Sequence, residues 1–388
     1  MEFQLSDKAK DYIARTKAFI QTEIEPIEAE FWQAAHKLNP TGDWTTWQWP
    51  AKLEELKTKA RAQNLWNMFL PDEQLGQGLS VQEYAHIAEL SGRSLIAPHV
   101  FNCNAPDSGN MELIWRYGND AQKAQWLTPL LAGEIRSVFG MTEPAVASSD
   151  ATNMQATAIV EGDEIVLNGR KWWSSGLGDP NAKLIIFMAH TPDESKDRHH
   201  QHTMVLVPID AKGVKIERML KVFNDYDAPH GHGEMLFDNV RVPLSNVIGG
   251  AGEGFAIAQG RLGPGRIHHC MRCIGAAEKS LELAIDRGLS RSAFGKPLLD
   301  LGGNRERIAD ARVKIDQARL LTLYAAYKMD KLGTKAALTE ISAIKVVAPT
   351  VLQEVVDMAI QLHGGMGVSQ DTLLPMFFNQ ARSLRLAD

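Results

Sequence analysis

Two stretches decide the fold: Phe139-Gly140-Met141-Thr142-Glu143-Pro144 and, further along, Lys171-Trp172-Trp173-Ser174-Ser175-Gly176. The first ends a short apolar run in a turn, and the second ends a strand-like run with two aromatic residues and two hydroxyls. Together they offer aromatic faces and polar donors, which a planar, mostly apolar ring with a polar edge requires. Taken singly, the halves fit an ordinary helix N-terminus and an ordinary pair of core aromatics.

Composition excludes several classes of function. The chain has 388 residues, 44% of them hydrophobic and 23% charged, which suits a globular protein with two or three cores. Its 47 acidic and 41 basic residues give a net charge of -6, with no long basic run, so neither a nucleic-acid partner nor membrane binding is expected. The N-terminus lacks the pattern of a targeting signal, and three cysteines indicate a reducing compartment. We expect a cytoplasmic protein without membrane insertion.

A cysteine pair and a histidine cluster are better explained by ordinary structure than by redox or metal chemistry. Cys270 and Cys273 recur at helical spacing with apolar neighbours, so redox chemistry is disfavoured. His199, His200 and His202 stand with nearby aspartates in a polar segment between apolar strands, which favours a solvated loop over a metal site. We therefore predict no metal. No Gly-x-Gly-x-x-Gly follows a strand, which removes the nicotinamide-dependent oxidoreductases.

The chain divides into three parts: helical from 1 to 137, β-rich from 138 to 247, and helical again from 248 to 388. Short strands separated by turns predict a small antiparallel barrel or sandwich in the middle. Apolar stripes predict long helices over about 255–289, 305–331 and 338–363, packed as an antiparallel bundle. Pro349 should kink or split the last of them.

Four motifs in this order resemble the acyl-CoA dehydrogenase family, an FAD-dependent family. They are the two opening stretches, the second preceded by Ser148-Ser149-Asp150, then Arg291-Ser292-Ala293-Phe294-Gly295, and Gln361-x-x-Gly364-Gly365-x-Gly367. The resemblance implies an α+β multidomain fold with an N-terminal all-α domain, a small antiparallel β-barrel and a C-terminal four-helix bundle.

The resemblance also implies roles for individual residues. One group would line the flavin or the acyl-CoA channel: Phe139, Met141, Thr142 and Ser149. Trp173 and Ser175 would meet the flavin ring. A last group would reach the FAD bound to a neighbouring subunit: Arg291, Phe294, Gln361, Gly364 and Gly365. Ordinary alternatives are a surface arginine at 291 and a helix C-cap at 364–365. If the intersubunit contacts hold, the protein is a homodimer or homotetramer.

The reaction of the family removes a proton from the α-carbon of an acyl thioester with a carboxylate. Counting from Ala381 and Arg382 places Asp388 at the position of the commoner glutamate. The base position of other members precedes the arginine matched by Arg266, and Gly265 there has no acid group. We therefore assign Asp388 and Arg266 as catalytic. Family members continue past this point, so a base beyond residue 388 remains an alternative.

Three functions are compatible with these motifs. The favoured one is an acyl-CoA dehydrogenase that passes electrons to an electron-transfer flavoprotein. The overall pattern looks most like the branch related to the long multidomain members numbered ten and eleven, and it includes the Trp44 and Trp47 segment and Met-Thr-Glu-Pro with Ser-Ser-Asp. That branch points to medium or longer acyl chains. The alternatives are a flavin oxidase similar to nitroalkane oxidase, which uses an aspartate base, and a non-catalytic flavin-binding assembly protein.

Overall fold

The computed structural model describes residues 4–387, so Asp388, the expected base, lies outside the described residues. The chain forms two compact units. The helical unit comprises Met1–Trp32, Lys52–Phe101 and Gly263–Asp388, and the sheet unit comprises Gln33–Ala51 and Asn102–Leu262.

Helices occupy both ends of the described chain. Some of them have side-chain caps at their N-termini: the Ser6 side chain accepts from the backbone of Ala9, and Ser80 and Glu83 form a reciprocal capping box. The α-helices are α1 (Asp7–Phe19), α2 (Glu28–Leu38), α3 (Lys52–Ala62), α4 (Val81–Gly92), α5 (Ala97–Val100), α6 (Asp107–Tyr117), α7 (Asp120–Gln122), α8 (Thr128–Ala132), α9 (Gly254–Ser290), α10 (Asn304–Leu332), α11 (Leu338–His363) and α12 (Leu374–Leu384).

The three long helices predicted over about 255–289, 305–331 and 338–363 are confirmed as α9, α10 and α11. Pro349 lies inside an unbroken α11, so the alternative that it splits this segment is wrong. Pro349 is buried within the apolar face of that helix, and packing of this face offsets the loss of one backbone hydrogen bond.

The strands between the helices form one seven-stranded sheet and one small hairpin. The strands are β1 (Arg136–Gly140), β2 (Thr157–Glu161), β3 (Glu164–Ser175), β4 (Ala182–His190), β5 (His202–Pro208), β6 (Val214–Leu220), β7 (His232–Pro243), β8 (Ser292–Ala293) and β9 (Lys296–Pro297). The large sheet has the order β1-β4-β2-β3-β7-β6, with β5 also paired to β4. The hairpin of β8 and β9 lies in the helical unit.

The sequence of helical, β and helical segments confirms the predicted fold class. The strand pairing is mixed and not purely antiparallel, because β1 and β2 both pair parallel with β4. Residues 141–181 lie between β1 and β4, and residues 162–181 lie between β2 and β4. These long stretches allow the parallel pairings, which sequence alternation cannot distinguish from hairpins.

The core of the sheet unit includes a tryptophan from the N-terminal third of the chain. Trp47 is 2% exposed and packs in the cluster with Val138, Leu177 and Phe237. Its indole Nε1 donates to the carbonyl of Thr41 at 2.8 Å. The tryptophan segment therefore belongs to the sheet unit and not to the helical unit.

A buried ion pair joins the two stretches that opened the sequence analysis. The Nζ atom of Lys171 lies 2.8 Å from Oε1 of Glu143, and both side chains are almost completely buried. The Lys171 ammonium also donates to the Met141 carbonyl at 2.9 Å, while Glu143 accepts from the backbone amides of Gln155 at 2.8 Å and Ala156 at 3.1 Å. Burial lowers the pKa of Lys171 to about 8. The pair thus fastens the turn after β1 to β3 and to the loop before β2.

In the helical unit, Glu28 is a second buried acid. Its Oε1 accepts from the Ser94 hydroxyl and from the Leu95 amide, each at 2.8 Å. Burial nevertheless raises the pKa of Glu28 from 4.5 to about 7. The folded state therefore binds this proton more tightly than the unfolded chain does.

None of the helices in residues 4–387 combines the length and apolarity needed to cross a membrane.

We predict that Lys171→Met lowers the free energy of unfolding by roughly 3–5 kcal/mol, because it leaves the buried Glu143 carboxylate without its cation. Urea denaturation measures this change. Lys183→Met, at an exposed position of β4, is the matched control and should change stability by less than about 0.5 kcal/mol. Equal effects of the two substitutions would contradict the account of the pair.

We also predict that the contribution of Glu28 to stability is full below pH 4.5 and is lost as the pH rises through about 7. Glu28→Gln removes the titrating group, so the variant should gain stability relative to the parent over this range, by about 1.4 kcal/mol per unit of the pKa difference. Denaturation midpoints at pH 4.5 and 8 measure the effect. The control is Glu30→Gln at an exposed position, whose stability relative to the parent should not change with pH. If the stability difference between Glu28→Gln and the parent is the same at pH 4.5 and at pH 8, the prediction is refuted.

Candidate functional site

The candidate flavin-binding wall lies where the turn after β1 runs beside β3. The backbone amide of Trp172 donates to the carbonyl of Thr142 at 3.0 Å, next to the contact between Lys171 and Met141. Thr142 is exposed and Met141 is half-buried. The structure therefore brings both stretches together, as the sequence predicted.

Phe139 stands at the end of β1 in the same wall. The guanidinium carbon of Arg261 lies 4.0 Å from the centroid of its ring, and Arg261 also donates to the side-chain oxygen of Asn110 at 3.1 Å. One face of the ring is thus covered by a cation held in place from α6. Sequence reasoning missed Arg261, which stands alone between apolar residues of α9 with no motif around it.

Trp173 has a backbone conformation that non-glycine residues rarely adopt. Its φ is +51°, and the pairing of β3 with β7 shifts register between Lys171 and Ser174. Such a bulge re-aims a side chain, and a strained residue at a bulge is typical of binding sites. The indole is 41% exposed, and its ring centroid lies 6.2 Å from that of Trp172. An exposed aromatic face therefore projects from the wall.

The two residues that flank Trp173 in the sequence each have a buried polar side-chain atom. Ser174 Oγ and Trp172 Nε1 are buried and have no hydrogen-bond partner among the described residues. Ser175 Oγ lies 2.9 Å from Nδ1 of His232, which belongs to β7. Unmatched buried donors are uncommon in native proteins, and they suit a site that a polar-edged ligand completes.

The loop from 221 to 231 brings His230, and next to it His232 of β7, to the wall. The Gly176 amide donates to the Gly231 carbonyl at 2.9 Å, and the Gly178 amide donates to the His230 carbonyl at 3.1 Å. A Cβ atom added at Gly178 would lie 2.4 Å from the Trp47 ring, so this close approach requires glycine. Sequence reasoning missed both histidines, although the pattern His-Gly-His next to a strand was available as a signal.

Ser149 lies apart from these residues. It is exposed in the loop between β1 and β2, and its neighbour Ser148 accepts from the Glu143 amide at 2.8 Å. The structure therefore ties this loop to the wall through Ser148 and Glu143, while the role predicted for Ser149 itself stays a prediction.

The helical unit holds the remaining predicted residues. Arg291 precedes β8, and Phe294 at the tip of the hairpin is 95% exposed with a φ of +52°. Because it is exposed, the Phe294 side chain is not stabilised by packing in the core of its own chain. It is available to a ligand or to another subunit.

Gln361 and the two glycines stand at the end of α11. Gly364 caps the helix with a φ of +64°, and its amide donates to the carbonyls of Gln361 and Ile360. A Cβ atom added at Gly364 or Gly365 would meet nothing within 4 Å, so the backbone is open to a close partner. Gly364 is thus a helix C-cap, as the ordinary alternative predicted, and this role does not prevent a contact with a ligand.

Arg266 lies inside α9, half-buried, one residue after Gly265. A Cβ atom added at Gly265 would meet nothing within 4 Å. The position therefore has room for a side chain, although glycine provides no acid group there. The catalytic roles predicted for Arg266 and Asp388 stay predictions.

His199 and His200 are exposed in the loop between β4 and β5, but His202 is buried in β5, so the prediction of a solvated loop is wrong for His202. Residues 191–201 connect β4 to β5, and Asp197 accepts from the His199 amide at 2.8 Å within that loop. Among residues 4–387, no group of three His, Cys, Asp or Glu side chains is arranged to bind a metal ion. Cys270 and Cys273 lie in α9, where burial raises the pKa of Cys273 to about 12.

These observations fit FAD. The exposed Trp173 face suits the isoalloxazine ring, and the half-buried hydroxyl of Ser175 suits its heteroatom edge. Arg291 suits a pyrophosphate, and the open backbone at Gly364 and Gly365 suits close approach to a dinucleotide.

Known proteins are similar to each of the three parts of this chain. Family models match three consecutive parts of the chain: the N-terminal domain of acyl-CoA dehydrogenase over residues 6–134, its middle domain over 138–240 and its C-terminal domain over 252–388. The domain boundaries predicted from the sequence stay a prediction.

Individual relatives are similar over the whole chain. The Mycobacterium tuberculosis protein named probable acyl-CoA dehydrogenase FadE2 is 49% identical over 100% of this chain and 93% of its own. Acyl-CoA dehydrogenase family member 11 of Gallus gallus is 49% identical over 100% of this chain and 49% of its own. The solved structure of an acyl-CoA dehydrogenase homologue from Mycobacterium abscessus is 57% identical, with a TM-score of 0.96 over 99% of this chain and 95% of its own.

The chain spans about half the length of the family member 11 relatives it matches. With three domain models in order and relatives about half identical over its full length, this chain belongs to the acyl-CoA dehydrogenase family, whose members are FAD-dependent oxidoreductases.

Proposed function

We propose that the protein catalyses the α,β-dehydrogenation of an acyl-CoA thioester. The observation that carries the proposal is the exposed face of Trp173, which a left-handed backbone projects beside the turn of Met141 and Thr142. A folded protein rarely strains an aromatic residue to place it in solvent, so the conformation is best explained by a planar ligand.

FAD would supply the hydride acceptor for the β-hydrogen. Trp173 and Ser175 would orient the ring, with Phe139, Met141 and Thr142 lining its surroundings. Asp388 would remove the α-proton as a general base, a step that requires its carboxylate to be ionised and within reach of the carbon. Arg266 would act near the alternative base position.

The names of family member 11 and of FadE2 support an acyl-CoA as the class of substrate. An acyl chain of medium or greater length and an electron-transfer flavoprotein as acceptor are proposed from the resemblance of the motifs alone. Phe294, exposed at the tip of its hairpin, supports a homodimer or homotetramer in which it and Arg291 contact the FAD of the neighbouring subunit. A nitroalkane-oxidase-like activity would be indicated by rapid reaction of the reduced protein with oxygen.

We predict that Arg291→Glu weakens FAD binding at least about tenfold, because a carboxylate would repel the pyrophosphate that the guanidinium attracts. Retained flavin after gel filtration and the dissociation constant from fluorescence titration measure the effect. Arg305→Glu is the matched control, since this exposed arginine of α10 pairs with Asp300. Full FAD occupancy of Arg291→Glu would refute the intersubunit contact.

A second prediction concerns Trp173→Ala. The fold should persist because the side chain is 41% exposed, while the flavin loses an aromatic face and its fluorescence and affinity change. Trp66→Ala, at a half-buried tryptophan of the helical unit, should leave both unchanged. An unaltered flavin spectrum in Trp173→Ala would return this residue to the class of ordinary surface aromatics.

A third prediction tests the base. Asp388→Asn keeps size and polarity but removes the proton acceptor, so FAD and acyl-CoA should still bind while flavin reduction slows by about two or more powers of ten. Gly265→Glu in the Asp388→Asn background should restore part of the rate, because the position has room for a side chain. Stopped-flow absorbance measures both. Reduction of Asp388→Asn at the parental rate would refute the assignment.

A further inference from the structure

Three polar side chains of the sheet unit form a line that ends at the flavin wall. Ser175 Oγ lies 2.9 Å from Nδ1 of His232, and on the other side of the ring Nε2 of His232 lies 3.5 Å from Oδ2 of Asp227. The imidazole also lies beside Trp173, with the two ring centroids 5.9 Å apart. His232 therefore contacts both residues that would meet the flavin.

The backbone fixes this line. The Gly231 amide donates to the Asp227 carbonyl at 2.9 Å, and the hydrogen bonds between 176–178 and 230–231 hold the loop against the end of β3. Ser175 and His232 are also paired residues of β3 and β7. The three side chains are consequently positioned by main-chain contacts, and their alignment does not depend on a bound ligand.

The surroundings of His232 decide where its proton lies. Facing it are the carboxylates of Asp227 and Asp225, the imidazole of His230, whose ring centroid is 6.1 Å away, and on β3 the uncharged Ser175 and Trp173. Burial lowers the pKa of His232 to about 4, so the ring is neutral near pH 7 and carries one N–H. A carboxylate near Nε2 favours the proton on that nitrogen, which leaves Nδ1 as an acceptor.

The tautomer sets the direction of the serine hydroxyl. With Nδ1 as acceptor, Ser175 must donate its single O–H to His232, and the lone pairs of its oxygen then remain for another partner. Without His232 the hydroxyl could rotate and present its hydrogen instead. The Ser175 oxygen is thereby prepared to meet an N–H donor of a ligand.

We propose that His232, oriented by Asp227, is a positioning residue that holds the Ser175 oxygen as a hydrogen-bond acceptor toward the ring edge of FAD and so favours the reduced flavin. The inference rests on the FAD site described under the proposed function. Two-electron reduction adds an N–H donor to a flavin ring, so an oxygen kept as acceptor stabilises the reduced form more than the oxidised form. His232 touches Ser175 and acts through it.

The experiment is a redox titration of the FAD-loaded protein against a reference dye, without acyl-CoA. His232→Leu should lower the equilibrium constant for flavin reduction about five- to tenfold, the effect of one hydrogen bond. His232→Gln, whose amide oxygen can still accept from Ser175, should recover part of it. His190→Leu, a histidine at the end of β4, is the matched control and should leave the constant unchanged.

The double variant separates positioning from general structure. Ser175→Ala should lower the constant to a similar degree, and adding His232→Leu to it should have no further effect, because both changes remove the same hydrogen bond. Independent, additive effects would overturn the proposal, as would a constant for His232→Leu equal to that of the parent.

If His232→Leu does not fold, Asp227→Asn at a half-exposed position replaces it. This variant should shift the constant in the same direction only when Ser175 is present, and a shift that persists in the Ser175→Ala background would overturn the proposal. A negative result in either test would overturn the role of His232 without bearing on acyl-CoA turnover. A parent protein that binds no FAD would instead refute the proposed function itself.

Discussion

The ion pair between Lys171 and Glu143 is the interaction on which the rest of the sheet unit depends. A lysine and a glutamate taken out of water are tolerated only when each finds hydrogen bonds, and here the lysine also meets the Met141 carbonyl while the glutamate meets two backbone amides. The pair lies directly behind Thr142 and Trp172. The pair therefore fixes the position of the two stretches of the candidate flavin wall relative to each other.

This arrangement explains why motif residues of different character stand next to each other. In the first stretch Glu143 is structural while Met141 and Thr142 reach the surface of the wall. In the second stretch Lys171 is structural, and the bulge after it turns Trp173 outward. Buried charge on one side and an exposed aromatic on the other allow one short segment to serve both the core and the ligand.

The sequence predicted the positions of the long helices well, but it predicted less well which strands pair and in which direction. Periodicity located α9, α10 and α11 because each buries a continuous apolar stripe. It did not reveal that β1 pairs parallel with β4, because an alternating pattern is the same for either strand orientation. It also did not reveal that α11 continues through Pro349, because this continuity depends on packing. Of the site, the wall residues carry a local motif. Arg261 has no such motif, and His230-Gly231-His232 gives only a short signal, because the contacts of Arg261 and His232 form only when distant strands and helices meet.

The central claim is that the Trp173 wall holds a flavin that accepts electrons from an acyl-CoA. Anaerobic titration of the FAD-loaded protein with saturated acyl-CoAs of graded chain length tests it most directly, with flavin absorbance as the readout. The account predicts bleaching of the oxidised flavin band, strongest for medium or longer chains. Retained flavin that no acyl-CoA bleaches would contradict the account and would favour a non-catalytic flavin-binding role.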